Sequence, residues 1–375
     1  MTSKTLLAAV ACLITWVPAL GQAPSALGQA GPGQAAQAPI VCQGAPAAQQ
    51  AQDAAPQPQG RGQDQAQGRG RGVAEPTTPR EVTVRQIPGI IAPGAKFTQV
   101  FQTVGNNVDG IVAAPDGSLL ASQEDNNAVL KIDKDDRASV FLAGVAVGSL
   151  SIDRQGRLFA VRRIAQPGTP AATHVSAPKT AGISMLLPEI KMWDTFDNGT
   201  KVIGRPSDLS ADSNGGAYFT QGCVYYADRS GTITLVGENV RANGIVLSVD
   251  DTRLYVTNGA SIVVFDVQGP GTLTSQREFT KLEAGGNGDG LSVDTAGNLY
   301  VAAGPGVQIY NRQGKYIGLI PTPPGRPTGQ AFAGADRKTL YVVVQATTDA
   351  HGRPLAGRTV YRIPTLAQGL PTRSK

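Results

Sequence analysis

Cysteine and histidine are scarce, with 3 and 2 copies in 375 residues. No CxxC spacing occurs, which excludes the usual thiolate zinc sites. Cys12 falls in an apolar N-terminal run and ends Ala9-Val10-Ala11-Cys12, which lacks the leucine of a lipobox. That leaves Cys42 and Cys223, in regions of different composition, and a disulfide between them is not the expectation. Any chemistry that needs a positioned imidazole has only His174 and His351 to draw on. Aromatic residues make up 5% of the chain, and few stretches carry a helical apolar period. Beyond Leu20 no run is long and apolar enough to cross a bilayer.

What is present begins with an export signal. Lys4 precedes an apolar run from Leu6 to Leu20, followed by small residues around Ala19 to Ala23. That is the charged, apolar, small-residue order of a signal peptide, expected over residues 1–21. It implies a secreted or periplasmic protein without a membrane span. Residues 22–80 are dominated by Gln, Ala, Gly and Pro and lack the apolar periodicity that offsets ordering entropy, so a disordered linker is expected. Its basic residues Arg61, Arg69 and Arg71 read as a solvated spacer, with no nucleic-acid partner. Residues 81–375 suffice for one sizeable domain. Glycine is abundant there, and the composition favours many short strands joined by turns.

The strands repeat. A polar residue opens an apolar strand, a turn with Asp or Gly follows, and a second strand comes next. Asp109-Gly110-Ile111 leads to Leu119-Leu120-Ala121, and Gly148-Ser149-Leu150 to Leu158-Phe159-Ala160. Ser207-Asp208-Leu209 leads to Tyr218-Phe219, and Asn243-Gly244-Ile245 to Leu254-Tyr255-Val256. Asp289-Gly290-Leu291 leads to Leu299-Tyr300-Val301, and Thr328-Gly329-Gln330 to Leu340-Tyr341-Val342. Six copies at a mean period of roughly 44 residues, each with a third and usually a fourth strand, predict an all-β, six-bladed β-propeller. The last copy lacks a fourth strand, and an orphan strand over residues 97–101 precedes the first. That N-terminal strand is expected to complete the last blade and close the ring, which removes open sheet edges. Residues 163–182 form an insertion in the second copy that carries His174. Tyr218, Tyr255, Tyr300 and Tyr341 recur in second strands and read as core between blades.

A blade points its first strand at the central channel. Aligning the copies puts Asp109, Gly148, Ser207, Asn243, Asp289 and Thr328 in one ring near a channel mouth. Converging carboxylates repel and lose solvation. A hard cation with oxygen ligands relieves both. The same residues also cap strands and bond turn backbone, as Asp and Asn often do.

Val240-Arg241-Ala242-Asn243-Gly244-Ile245, Gly288-Asp289-Gly290-Leu291-Ser292-Val293-Asp294 and Gly204-Arg205-Pro206-Ser207-Asp208-Leu209 resemble the SMP-30/gluconolactonase family, also called regucalcin-like. The likeness runs over residues 97–365. It implies one divalent cation, Ca²⁺ first and Mg²⁺, Mn²⁺ or Zn²⁺ as alternatives, held by Asp109, Asn243 and Asp289. The chain has Asp109 where the family usually has Glu, and Ser207-Asp208 where it usually has Asn-Asp.

The resemblance implies metal-dependent hydrolysis of a lactone or related ester, with Asp289 as general base or nucleophile. Ser207, Asp208, Thr328, His174 and Arg241 are the candidate substrate contacts, although Asp208 should point away from the ring if Ser207 points in. Arg205, Arg241 and Arg326 each stand two residues before a ring position, which suggests a scaffold role first. His174 and His351 read equally as exposed loop residues. A monomer acting on a small molecule is expected. The competing reading is a non-enzymatic, NHL-like binding propeller with a structural calcium ion. A lyase would need one of the two histidines.

Overall fold

The computed structural model describes residues 84–375 except 166, 175, 176, 203 and 346–356. The expected signal peptide, the linker and His351 lie outside the described residues. The fold is all-β, with a propeller-like arrangement of sheets. β1 (Thr98–Thr103) is followed by the sheet β2 (Asn107–Ala113), β3 (Leu119–Gln123), β4 (Ala128–Ile132) and β5 (Ala138–Ala143). Next comes β6 (Leu150–Ile152), β7 (Leu158–Arg162), β8 (Gly182–Leu187) and β9 (Lys191–Trp193). The insertion connects β7 to β8 and includes the short helix α1 (Pro170–Thr173).

Two copies share one seven-stranded sheet. It runs β11 (Leu209–Ala211), β12 (Ala217–Ala227), β13 (Thr232–Leu247), β14 (Arg253–Asn258), β15 (Ser261–Gly269) and β16 (Thr272–Lys281), with β10 (Thr195–Phe196) paired to β13. β12 reverses on itself. The rings of Phe219 and Tyr225 lie 5.3 Å apart and those of Tyr218 and Tyr226 4.7 Å apart. An extended strand would separate such residues by about 20 Å or more. Gly222, at φ 75°, supplies the turn. β13 then serves both neighbours: its first part pairs with β12 and its last part with β14. Where six separate four-stranded blades were expected, the sheets are thus four of four strands and one of seven.

The chain continues through β17 (Gly288–Val293), β18 (Leu299–Ala303), β19 (Gly306–Tyr310) and β20 (Tyr316–Pro321), then β21 (Arg326–Ala333), β22 (Thr339–Gln345) and β23 (Arg358–Pro364). β1 pairs antiparallel with β23, with Thr98 opposite Arg362, so the N-terminal strand completes the last sheet as its missing edge predicted.

The repeating turn aspartates explain the hairpins. Asp153 Oδ1 accepts the amides of Gln155 and Arg157, and Asp212 Oδ1 those of Asn214 and Gly216. Each side chain thus fixes its own turn. Second strands are buried on both faces, as in β3, β7 and β18, so apolar residues fill them without alternation. The four recurring tyrosines are all buried between sheets. Tyr300 packs edge-on to Phe332 at 5.0 Å, and burying each such ring is worth about 1.5–3 kcal/mol.

Two segments outside the repeats also join the core. Val84, Ile87, Ile90 and Ile91 pack against Tyr300, Val307, Ile309 and Ile320. Residues 365–375 cross the turn ends of the sheets. Leu366 N donates to Ile90 O, Gly369 N to Arg337 O, and Ser374 exchanges backbone bonds with Ile152. Cys223 is disulfide-bonded, contrary to expectation, and its partner lies outside the described residues.

Candidate functional site

Four of the six ring residues fall at a local irregularity in their strand. Pairing registers shift between Asn107 and Ile111, Ala242 and Ile245, Gly288 and Leu291, and Pro327 and Gly329. Asp109, Asn243, Asp289 and Thr328 fall in those four intervals. A bulge turns a side chain out of the regular alternation and leaves amides unpaired. Second-strand hydroxyls satisfy two of them: Ser122 Oγ accepts Gly110 N at 2.9 Å and Thr257 Oγ1 accepts Gly244 N at 2.7 Å. In the third copy, which has no register shift, Thr220 Oγ1 accepts Asp208 N at 3.2 Å. The glycine after the ring residue lets neighbouring first strands touch. A Cβ on Gly244 would collide with the Asp289 carbonyl, and one on Gly290 would lie 2.8 Å from Thr328 O.

Five of the six aligned ring positions meet at one cavity, which Gly148 does not line. Asp109, Ser207, Asp208, Asn243, Asp289 and Thr328 line one cavity of about 60 Å³. Arg163, Arg326, Arg358 and Lys375 line it with them. A larger groove of about 470 Å³ lies elsewhere, between Ser248–Arg253 and Arg312, and contains no ring residue.

The two ring carboxylates have different partners. Asp109 forms ion pairs with both Arg163 and Arg358. Burial pushes its carboxyl upward, but the two guanidiniums outweigh this and hold it well below the usual carboxylate range. Arg163 also bonds Glu124 Oε2 at 3.2 Å and the carbonyls of Pro206 and Ser207, each at 2.7 Å. It fills the space of the second copy's ring residue: a Cβ on Gly148 would lie 2.6 Å from its Cζ. Asp289 instead receives Arg326 Nη1 at 3.0 Å on Oδ2 and Asn243 Nδ2 at 3.2 Å on Oδ1. Arg326 is held in turn by Gln345 Oε1 at 2.9 Å.

Asp208 departs from expectation by lining the cavity beside Ser207 rather than turning away. Its Oδ1 accepts Ser149 Oγ at 2.5 Å and meets Lys375 Nζ, while Oδ2 accepts Ile245 N at 3.0 Å. It therefore ties three successive copies together. Thr328 Oγ1 is buried with no hydrogen-bond partner among the described residues, and such a group calls for a ligand or water.

Two candidates fall elsewhere. His174 does not line the cavity; its Nε2 is 2.8 Å from Asp125 O. Arg241 is exposed and also absent from the lining, because only its backbone N is engaged, by Asn258 Oδ1 at 2.8 Å. Arg205 bonds Glu124 and the Ile164 carbonyl, in keeping with a scaffold role. Arg326, which shares its offset in the repeat, reaches a ring carboxylate.

The donor set does not fit the expected divalent ion. Asn243 and Asp289 can offer two oxygens, but Asp109 is committed to two guanidiniums. Around the cavity, the carboxylates of Asp109, Asp208 and Asp289 are outnumbered by Arg163, Arg326, Arg358 and Lys375. Among the described residues, no group of three or more His, Cys, Asp or Glu side chains is placed to hold a metal.

Residues 195–346 match the family described as SMP-30/Gluconolactonase/LRE-like region. Over those residues the chain is similar to that family. It is 28% identical over 187 residues to a gluconolactonase of Zymomonas mobilis, covering 40% of this chain and 52% of that protein. It is 28% identical over 170 residues to a pentonolactonase of Haloferax volcanii, covering 40% and 56%. The chain thus spans about half the length of the curated relatives it matches. A gluconolactonase structure from Xanthomonas campestris superposes with a TM-score of 0.57 at 21% identity, over 78% of this chain and 99% of that one. At that identity the likeness is one of fold.

Proposed function

We propose that this is a lactonase-type hydrolase on a six-bladed propeller, acting on a small lactone or related ester at the ring. The reversal within β12 and the shared β13 support counting the seven-stranded sheet as two blades. The observation that carries the activity is the meeting of Asp289, Arg326 and the unpartnered Thr328 hydroxyl at one cavity, in a chain similar to lactonases.

Asp289 is the base. Arg326 and Asn243 orient its carboxylate, which takes a proton from a water as that water adds to the lactone carbonyl. Thr328 Oγ1 donates to the carbonyl oxygen as negative charge develops there. The ring ester bond then breaks, and the proton passes to the departing alkoxide to give the hydroxy acid. No step is routed through a metal. A cavity of about 60 Å³ holds about two waters, so a lactone lies across the mouth rather than within the channel. The test is hydrolysis of a panel of aldonolactones by the protein and by Asp289→Asn. Turnover lost in the variant supports the reading, and no turnover across the panel removes it.

The non-enzymatic binding propeller keeps one observation in its favour, namely that Asp109, Asp208 and Asp289 are all ion-paired already. Its lining would then hold a ligand without turnover.

A further inference from the structure

The segment Arg373–Lys375 occupies the channel from the turn side. Arg373 donates to the carbonyls of Leu247 and Ser248, each at 2.8 Å, and pairs with Asp251. Ser374 Oγ accepts Ala113 N at 2.7 Å, while its backbone pairs with Ile152. Lys375 Nζ then donates to Leu209 O at 2.9 Å and meets Asp208 Oδ1. Three consecutive residues therefore touch the first strands of the first four copies, which places Lys375 where those strands converge. Its side chain is 8% exposed. Each contact of Nζ is to an acceptor, the arrangement of a donating ammonium.

We infer that Lys375, together with the Arg163–Arg358 clamp on Asp109, supplies from within the chain the positive charge that this ring would otherwise take from a divalent ion, so that the protein binds no metal there. Carboxylates converging on an axis need positive charge nearby. Here Asp208 receives it from Lys375, Asp109 from two guanidiniums and Asp289 from Arg326. A dication added to this lining would meet an excess of positive charge at close range, which raises its energy at any reasonable dielectric. It would also have to displace both guanidiniums from Asp109. Burial opposes the Lys375 charge and pushes its ammonium well below its ordinary value, with Asp109 countering; the ground for the charge is geometric, the direct contact with Asp208 Oδ1. None of this depends on the lactone reading, because the ring's charge balance is the same whether or not an ester is cleaved.

The test is calorimetric titration of the chelator-treated protein with Ca²⁺, Mg²⁺, Mn²⁺ and Zn²⁺ singly, up to about 1 mM, the weak end of protein calcium sites. The wild-type chain is expected to show no stoichiometric binding at the ring. The double substitution Lys375→Met, Arg358→Met turns the excess of positive charge into an excess of negative charge and frees one side of Asp109. It should gain at least about tenfold in Ca²⁺ affinity. If the double variant does not fold, Lys375→Met alone is titrated, and any gain over wild type decides the same question. Stoichiometric, micromolar binding that wild type loses on Asp289→Ala overturns the inference. So does a folded variant that gains no affinity at all. Both readouts are binding measurements, so an inactive but metal-free protein contradicts the hydrolase reading alone.

Discussion

The Asp109 and Asp289 sides of the ring start from the same local device and end in different chemistry. Both residues sit on a first-strand bulge, and both carboxylates are 17% exposed. Asp109 is gripped by two arginines that are themselves 9% and 4% exposed. Asp289 is met by Arg326, 32% exposed, and by the amide of Asn243. A carboxylate clamped by two buried cations is a structural tie, whereas one bonded by a more exposed arginine and a neutral amide is held by weaker partners. One sequence pattern therefore yields a scaffold position and the position proposed as the base, and their partners differ accordingly.

The largest expected effect that separates the sides is on stability. Asp109→Asn leaves Arg163 and Arg358 buried beside a neutral amide and should destabilise the fold by about 3–5 kcal/mol in urea denaturation. A loss below about 1 kcal/mol would mean that the clamp contributes nothing. Acid sensitivity follows the same residue. The Asp109 carboxyl is held below its unfolded value, so its contribution is complete above an unfolded pKa of about 3.9 and is lost as pH falls below it. Wild type should lose stability as pH drops from about 4 toward 2, and Asp109→Asn should show a shallower decline. Equal slopes would break the assignment.

Smaller effects sharpen the Asp289 side. Thr328→Val removes an unpartnered hydroxyl and should leave stability unchanged or slightly raised. Its kcat should fall by about tenfold, the worth of one hydrogen bond formed on the way to the transition state. An unchanged kcat would take Thr328 out of the chemistry. Arg241→Ala should change stability by no more than about 0.5 kcal/mol and leave KM alone, because the side chain is exposed and off the cavity. A raised KM would restore the role that its position in the repeat suggested.

The fold was legible where the sequence repeats. The strand-turn-strand phrase located the first strands, the tyrosine core and the closing strand β1. It could not show that β12 reverses within a continuous run, because the reversal rests on Gln221-Gly222 with no added turn residues. The ring was legible as a set of positions, because a bulge recurs at the same point of the phrase. Its partners were not. Arg163 and Arg358 lie outside the opening phrase of any copy, and Lys375 lies beyond the last strand. The one available signal was negative: Gly148 stands where a polar ring residue belongs, and the space is filled by Arg163. The divalent ion was expected from the family resemblance together with the aligned carboxylates, whereas the opposing cations arrive from other parts of the chain.

The most direct test of the account is lactone turnover in excess chelator, comparing wild type with Asp289→Asn. The account predicts that wild type turns over a lactone with metal removed, and that Asp289→Asn loses about 10²–10⁴-fold in kcat with an unchanged melting temperature. Turnover abolished by chelator and restored by a divalent ion, or rates equal in the two proteins, would contradict it.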